Sequence, residues 1–300
     1  MKLICRLASL LLVPTLMAGS ANAQTTAAPL PDAEPAMWVV KDKDTTIYLF
    51  GTFHALDGKR DWFNDEVRQA FDASQDVVLE IITPEDPAQL APSFQKFVMT
   101  AAGTPTLTSK LSPDGRKRLA AILTKNKMPL TALDRFKPFF AAVTLTTIQF
   151  GSMGMGADHG AEAVLRQAVK ASRKNLGAVE TIDEQFAMLD ALPEAEQLRL
   201  LESSLKDDSS AEKDIAAMLD AWNRGDAAAV ARAIQQSDKD SPQLYNVMFT
   251  LRNAKWAKWV EDRLARPGIV FLAVGAGHLA GDRSLVALLK REGHRVSRIQ

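Results

Sequence analysis

Ile269-Val270-Phe271-Leu272-Ala273-Val274-Gly275-Ala276-Gly277-His278 is the stretch on which the fold turns. Its first six residues are apolar without a break, which predicts a strand buried on both faces, as in a parallel sheet covered by helices. Pro267-Gly268 stops the preceding helix, and the glycines after Val274 end the strand with His278 just beyond it. The same ending occurs near the other end of the chain. Thr45 to Phe50 reads as a strand, followed by Gly51-Thr52-Phe53-His54. Met37 to Lys41 reads as its hairpin partner across the turn Asp42-Lys43-Asp44. Val77 to Ile82 is a short buried strand carrying Glu80, and Leu176 to Val179 is another. A helix near 282–292, Gly293 and a last strand from His294 to Ile299 complete a βαβ-like unit.

Between these ends the chain reads as helical. Helices are predicted over 62–73, 86–101, 113–125 and 138–150, and from Asp158 to about 172. Thr83-Pro84 and Ser112-Pro113 each offer a cap followed by proline, Thr181 and Glu184 fit a capping box, and Asp158 reads as an N-cap. Gly151 to Gly156 reads as a flexible Gly/Met connection, and 193–266 as nearly continuous helix broken near Asp207–Ser210, Gly225 and Ser241-Pro242. The expected class is therefore α/β: a small central sheet, strand–GxxH turns at both ends of the chain, and a helical insertion over about 84–266 within one domain of residues 37–300.

The 300 residues include 36 Lys+Arg and 36 Asp+Glu, with 47 % apolar and 24 % charged side chains. That balance belongs to a globular protein and lacks the basic footprint of a nucleic-acid binder. Lys2 and Arg6, the apolar run from Leu7 to Met17 and Ala21-Asn22-Ala23 read as a secretory signal peptide over 1–23, cleaved after Ala23. Residues 24–36 form an Ala/Pro/Thr-rich leader. Cleavage removes Lys2, Arg6 and the single cysteine, Cys5, leaving 34 basic against 36 acidic side chains, a net of −2. The mature chain then has no thiol for disulfide, nucleophile or metal thiolate. No second apolar run reaches membrane length, so a periplasmic or secreted protein without a stable span is expected.

Three residues stand at strand ends. His54 and His278 follow glycine-bearing turns, and a carboxyl edge is where open α/β sheets place ligands. Glu80 lies in an apolar strand, where a carboxylate is costly unless paired or bound to a cation. A two-histidine, one-carboxylate set suits Zn, Mn, Co or Fe(II), and a bound metal would acidify water and polarise a carbonyl. The bland readings are a packing or surface histidine and a salt-bridged glutamate. Gly275-x-Gly277-x-x-x-Gly281 has the wrong spacing for a dinucleotide turn. His159 and His294 read as solvated and structural, and Trp256, Trp259 and Val260 as a core stripe at helical spacing.

The order hairpin, G-T-F-H, V-V-L-E, helical middle, G-A-D, V-E-T-I-D-E-Q, R-N-A-K-W and V-G-A-G-H-L-A-G resembles the TraB/GumN family over Met37 to Arg298. That family is related to the animal Tiki proteases and to the erythromycin-esterase/ChaN-like superfamily. The resemblance implies a metal-dependent protease whose active centre holds His54, Glu80 and His278. The family's R-N pair matches Arg252 and Asn253. Its G-x-D matches Gly156 and Asp158, and its L-E-T-x-x-E-Q matches Val179 to Gln185, with Val179 in place of Leu. Bacterial relatives limit peptide pheromone activity or belong to a polysaccharide gene cluster. Erythromycin esterases resemble metal-independent hydrolases using histidine as base, and ChaN-like proteins bind haem.

The leading expectation is an exported metal-dependent hydrolase of peptide or protein substrates. His54, Glu80 and His278 would hold Mn, Co or Zn. Glu80 would activate water if it is not a ligand, and Arg252 and Asn253 would stabilise the oxyanion. Asp158, Glu180 and Gln185 would orient the ligands from behind. The alternatives are a haem- or metal-binding protein without turnover, a metal-independent esterase with a histidine base, and an accessory protein of polysaccharide production.

Overall fold

The computed structural model describes residues 29–205 and 210–300, apart from the side chains of 210, 211, 237, 238 and 240. The expected signal peptide, Cys5, the first residues of the leader and most of the break near Asp207–Ser210 lie outside the described residues.

One sheet organises the chain. Its strands are β1 (Met37–Lys41), β2 (Thr45–Thr52), β3 (Asp76–Leu79), β4 (Asn175–Ala178), β5 (Gly268–Gly275) and β6 (Val296–Arg298), in the spatial order β4-β3-β5-β2-β1-β6. The four strands from β4 to β2 run parallel. The hairpin β1–β2 forms as the sequence predicts. β6 pairs antiparallel with β1, so that two strands, β2 and β1, separate it from β5. The expected βαβ-like ending is therefore corrected: the terminal strand seals the far edge of the hairpin instead of adding a parallel neighbour to β5.

Alternation on the central strands explains the two cores. On β5, Val270, Leu272 and Val274 join one cluster with Ile47, Leu49, Trp256 and Val260. Phe271 and Ala273 point the other way, among Phe50, Phe53, Trp62 and Phe71. A strand with both faces covered must be apolar at every position, which is the pattern of β5.

The principal helices are α1 (Asp65–Ala73), α2 (Pro113–Lys125), α3 (Pro138–Ser152), α4 (Ala161–Ala171), α5 (Ile182–Asp190), α6 (Glu194–Ser204), α7 (Ser210–Asn223), α8 (Ala227–Asp240), α9 (Leu251–Leu264) and α10 (Leu285–Arg291). Ser112 caps α2 by accepting from Gly115 N–H at 2.9 Å, and the Thr181–Glu184 capping box opens α5. Two other caps are corrected. Thr83 opens no helix; the next one starts at Pro87, capped by Asp86. Helix α4 begins at Ala161 behind Gly160, and the Asp158 side chain is 79 % exposed. The helix expected over 86–101 divides into a 3-10 turn, a single α-turn and a π-turn between Pro87 and Val98. Pro92 lacks the N–H that a continuous ladder needs there. The helical middle also returns to the sheet at β4, so the segment 84–266 contributes an edge strand as well as helices. No helix among the described residues is long and apolar enough to cross a membrane.

Leu272 is fully buried, whereas Leu130 is 58 % exposed. Leu272→Ala is expected to cost about 2–5 kcal/mol. Leu130→Ala should stay within about 0.5 kcal/mol. Urea denaturation of the two variants checks this.

Candidate active site

Parallel pairing brings the strand-end residues to one edge. Thr52 of β2 stands opposite Gly275 of β5, so both G-x-x-H turns leave the sheet side by side. Leu79 of β3 is the partner of Ala273, which brings Glu80 to the same carboxyl edge. Beyond β3 and β4 the two chains stay together, with Glu180 N–H donating to the Glu80 carbonyl at 3.0 Å. Gly51 has no unusual backbone angle. It is favoured by close approach, because a Cβ there would lie 3.1 Å from Ala276, tighter than an ordinary contact. Trp222 of α7 donates its indole N–H to the Gly51 carbonyl at 2.7 Å and so closes the end of β2.

The His54 turn is clamped by residues 156–162. Leu56 and Gly156 exchange two backbone hydrogen bonds of 3.1 and 2.9 Å, and Ala161 N–H donates to the Phe53 carbonyl at 3.1 Å. Gly160 packs directly on this turn; a Cβ there would overlap the His54 carbonyl oxygen. The clamp delivers Glu162, in the first turn of α4, to the imidazole. His54 Nδ1–H donates to Glu162 Oε1 at 2.5 Å. His54 Nε2 is buried without a hydrogen-bond partner and lies 4.0 Å from Glu80 Oε2. Burial opposes the imidazolium, but the adjacent Glu162 and the nearby Glu80 outweigh it and raise the His54 pKa. Burial likewise opposes the Glu162 carboxylate, and His54 more than compensates, so its pKa is lowered.

His278 lives in a different environment. It is fully buried, with ring centroids 4.3 Å from Trp256 and 4.9 Å from Phe249. Its Nδ1–H donates to Asn253 Oδ1 at 2.7 Å, and its Nε2 accepts from Arg252 Nη1 at 3.1 Å. Burial first and the Arg252 charge second push its pKa well below the usual imidazole range, so it is neutral.

Arg252 joins the buried polar groups. Its Nε donates to both Glu180 oxygens at 3.0 Å. Its Nη2 reaches Glu80 and Glu180 Oε2, the latter at 2.8 Å. Its Nη1 also meets the Met248 carbonyl at 3.3 Å, in the π-turn Asn246–Thr250 that leads into α9. Gln185 bridges the same carboxylates, at 3.1 Å to Glu80 and 3.3 Å to Glu180. Gly275 N–H donates to Glu80 Oε2 at 3.0 Å. Every Arg252 N–H is thus taken, and Asn253 is held between His278 and the Arg283 carbonyl, 2.8 Å away. Arg252 has no free donor for the oxyanion role expected of it, whereas Asn253 uses one of its two amide N–H groups on Arg283. Both side chains also anchor the site, Arg252 holding Glu80 and Glu180 and Asn253 holding His278.

A metal would need His54, Glu80 and His278 to converge, and in this arrangement the set does not fit one. His278 Nε2 faces the Arg252 guanidinium, and the Glu80 oxygens receive Arg252, Gln185 and Gly275. A cation there would stand against a fixed positive charge. Among the described residues, the ligand-type groups that do converge lie elsewhere and are largely exposed: Glu261 with Glu292 and His294, and Asp32 with Glu34 and Asp65. Of the other residues singled out in the sequence, Gln185 bonds Glu80 directly and the Glu180 carboxylate is joined to it through Gln185 and Arg252, whereas Asp158 is exposed beside the exposed His159. Glu162 was not legible as a site residue. An acid in a first helical turn is commonplace, and only tertiary contact joins it to His54.

Removing one member of a buried charge cluster strands the others. Arg252→Met is expected to cost about 3–5 kcal/mol, because it leaves Glu80 and Glu180 buried without their cation. Glu180→Gln, which keeps the Glu80–Arg252 pair, should cost less. Chemical denaturation of both variants measures the difference.

The chain is 23 % identical over 275 residues to an uncharacterised protein of Treponema pallidum (strain Nichols), covering 86 % of this chain and 81 % of that one. It is 30 % identical over 149 residues to the uncharacterised protein YbaP of Escherichia coli (strain K12), covering 50 % of this chain and 54 % of the relative. The YbaP protein of Shigella flexneri matches to the same extent. No solved structure matches. The model of the TraB/PrgY/gumN family matches residues 36–298, nearly the whole chain, and the protein belongs to that family.

Proposed function

We propose that this protein is a hydrolase of acyl compounds, most simply peptides, in which His54 is the general base. One observation carries the reading: a buried imidazole fixed at Nδ1 by Glu162, with an unpartnered Nε2 directed at the carboxyl edge of the sheet. A neutral imidazole held in that tautomer has its lone pair on Nε2. The carboxylate behind it stabilises the imidazolium that forms when Nε2 takes a proton. The 4.0 Å between His54 Nε2 and Glu80 Oε2 suits one water held by both groups. As the water oxygen bonds to the acyl carbon, its proton passes to Nε2. The same proton then goes to the leaving nitrogen or oxygen as the scissile bond breaks. Glu80, held by Arg252 and Gln185, orients the water, and His278 remains neutral and packed.

The rival is metal-dependent hydrolysis. The unpartnered His54 Nε2 beside a carboxylate is the observation in its favour, but it requires the Arg252 guanidinium to leave His278. Chelation separates the two. Cleavage of a peptide and aryl-ester panel that survives chelation and disappears in His54→Ala supports the histidine base. Activity abolished by chelator and restored by Mn, Co or Zn supports the metal.

The pH profile tests the dyad. A base must be unprotonated to act, so activity should rise with pH through a value above the usual 6.5 of histidine, in the direction that Glu162 and Glu80 shift His54. Glu162→Gln removes the charge that favours the imidazolium. Its rising limb should move to lower pH and its plateau should fall by roughly 10²–10⁴-fold. An unmoved limb would show that another group titrates.

A further inference from the structure

Arg166 lies on α4 four residues beyond Glu162, so the two side chains share one helix face. Its Nη1 donates to the Thr83 hydroxyl. Thr83 is buried and stands three residues beyond Glu80, on the segment leaving β3. The guanidinium is therefore fastened to the rim of the candidate active site, between the element that carries Glu162 and the one that carries Glu80.

Its partners do not match its charge. Among the described residues, no carboxylate lies within ion-pair distance of Arg166. Glu162 is engaged by His54, and Glu85, which feels the Arg166 charge, is hydrogen-bonded to Lys170 instead. A single hydroxyl answers a half-buried fork of five N–H donors. Arg252, by contrast, has every donor matched by protein groups. The contrast marks Arg252 as structural and Arg166 as open to a ligand. A planar fork is suited to a carboxylate, which it holds with two parallel hydrogen bonds. Glu80, Glu162 and Glu180 repel an anion from the inner part of the site, so an anionic substrate group is accommodated at the Arg166 end.

We propose that Arg166 is a specificity residue that binds a carboxylate of the substrate, the C-terminal carboxylate of a peptide, and so sets the scissile acyl group against His54. The proposal rests on the hydrolase reading above.

The test compares acetyl-tetra-alanine bearing a free carboxyl terminus with its C-terminal amide. The wild type is expected to cleave the acid with at least tenfold higher kcat/KM. Arg166→Gln keeps a donor for Thr83 but drops the charge. It should abolish the preference, mainly through KM, and Arg166→Lys should restore part of it. A preference unchanged in Arg166→Gln overturns the proposal. So does an equal loss on acid and amide, which would mark Arg166 as only a brace for Thr83. If the wild type cleaves neither peptide, the hydrolase reading fails for such substrates, and binding decides the carboxylate site separately. Saturable perturbation of arginine side-chain NMR signals by the acid but not the amide, lost in Arg166→Gln, would support it. Equal responses to acid and amide would overturn it.

Discussion

Eight residues of β2 pair in parallel with eight residues of β5, and the rest of the molecule is arranged around that register. The two strands come from opposite ends of the chain. Their pairing sets Thr52 beside Gly275 and so places the His54 and His278 turns on one edge. Parallel neighbours need a long connection between them. Here it is most of the protein, including β3, which adds Glu80 from the other side of β5, and β4, which adds Glu180. Such contacts between distant segments close large loops, an entropic cost that both apolar faces of the sheet must offset.

The site edge is polar at its centre although it rests on an apolar sheet. Glu80, Glu180, Gln185, Arg252, Asn253 and His278 are all buried. They persist because nearly every donor and acceptor among them is matched, and a partly matched buried network would be unfavourable. The network also divides the two histidines. His278 is locked by hydrogen bonds at both nitrogens, with burial first and the Arg252 charge second keeping it neutral. His54 is locked at one nitrogen only, with carboxylates raising its proton affinity. Two similar turns therefore hold one imidazole hydrogen-bonded at both nitrogens and one with an unpartnered Nε2.

The helical middle supplies what the sheet cannot. Helix α4 brings Glu162 and Arg166 to the edge, helix α7 closes the end of β2 through Trp222, and helix α9 carries Arg252 and Asn253 inward. Gly160 shows how tight this assembly is, since its missing side chain is what lets α4 start against the His54 carbonyl. Fold alone does not specify the chemistry; the partners of each histidine do.

The apolar run of β5, the hairpin signal and the glycine-ended strands were enough for the sequence by itself to determine an α/β class and to single out His54, Glu80 and His278. Hydrophobic periodicity and turn chemistry are local, and local signals reach that far. They also predicted Ser112 as a cap and Thr181–Glu184 as a capping box, because those bonds span three residues. They misplaced the start of α4, the pieces between Pro87 and Val98 and the partner of β6, where contacts outside the segment decide. What each site residue touches was decided only by the tertiary structure. Arg252 reads as an oxyanion donor until it is seen between two buried carboxylates, and Glu162 reads as an ordinary first-turn acid until it meets His54 across 108 positions of chain. Hydrogen bonds and charge pairs over such separations leave no period in a sequence, because they depend on which faces pack together and on the dielectric that packing creates.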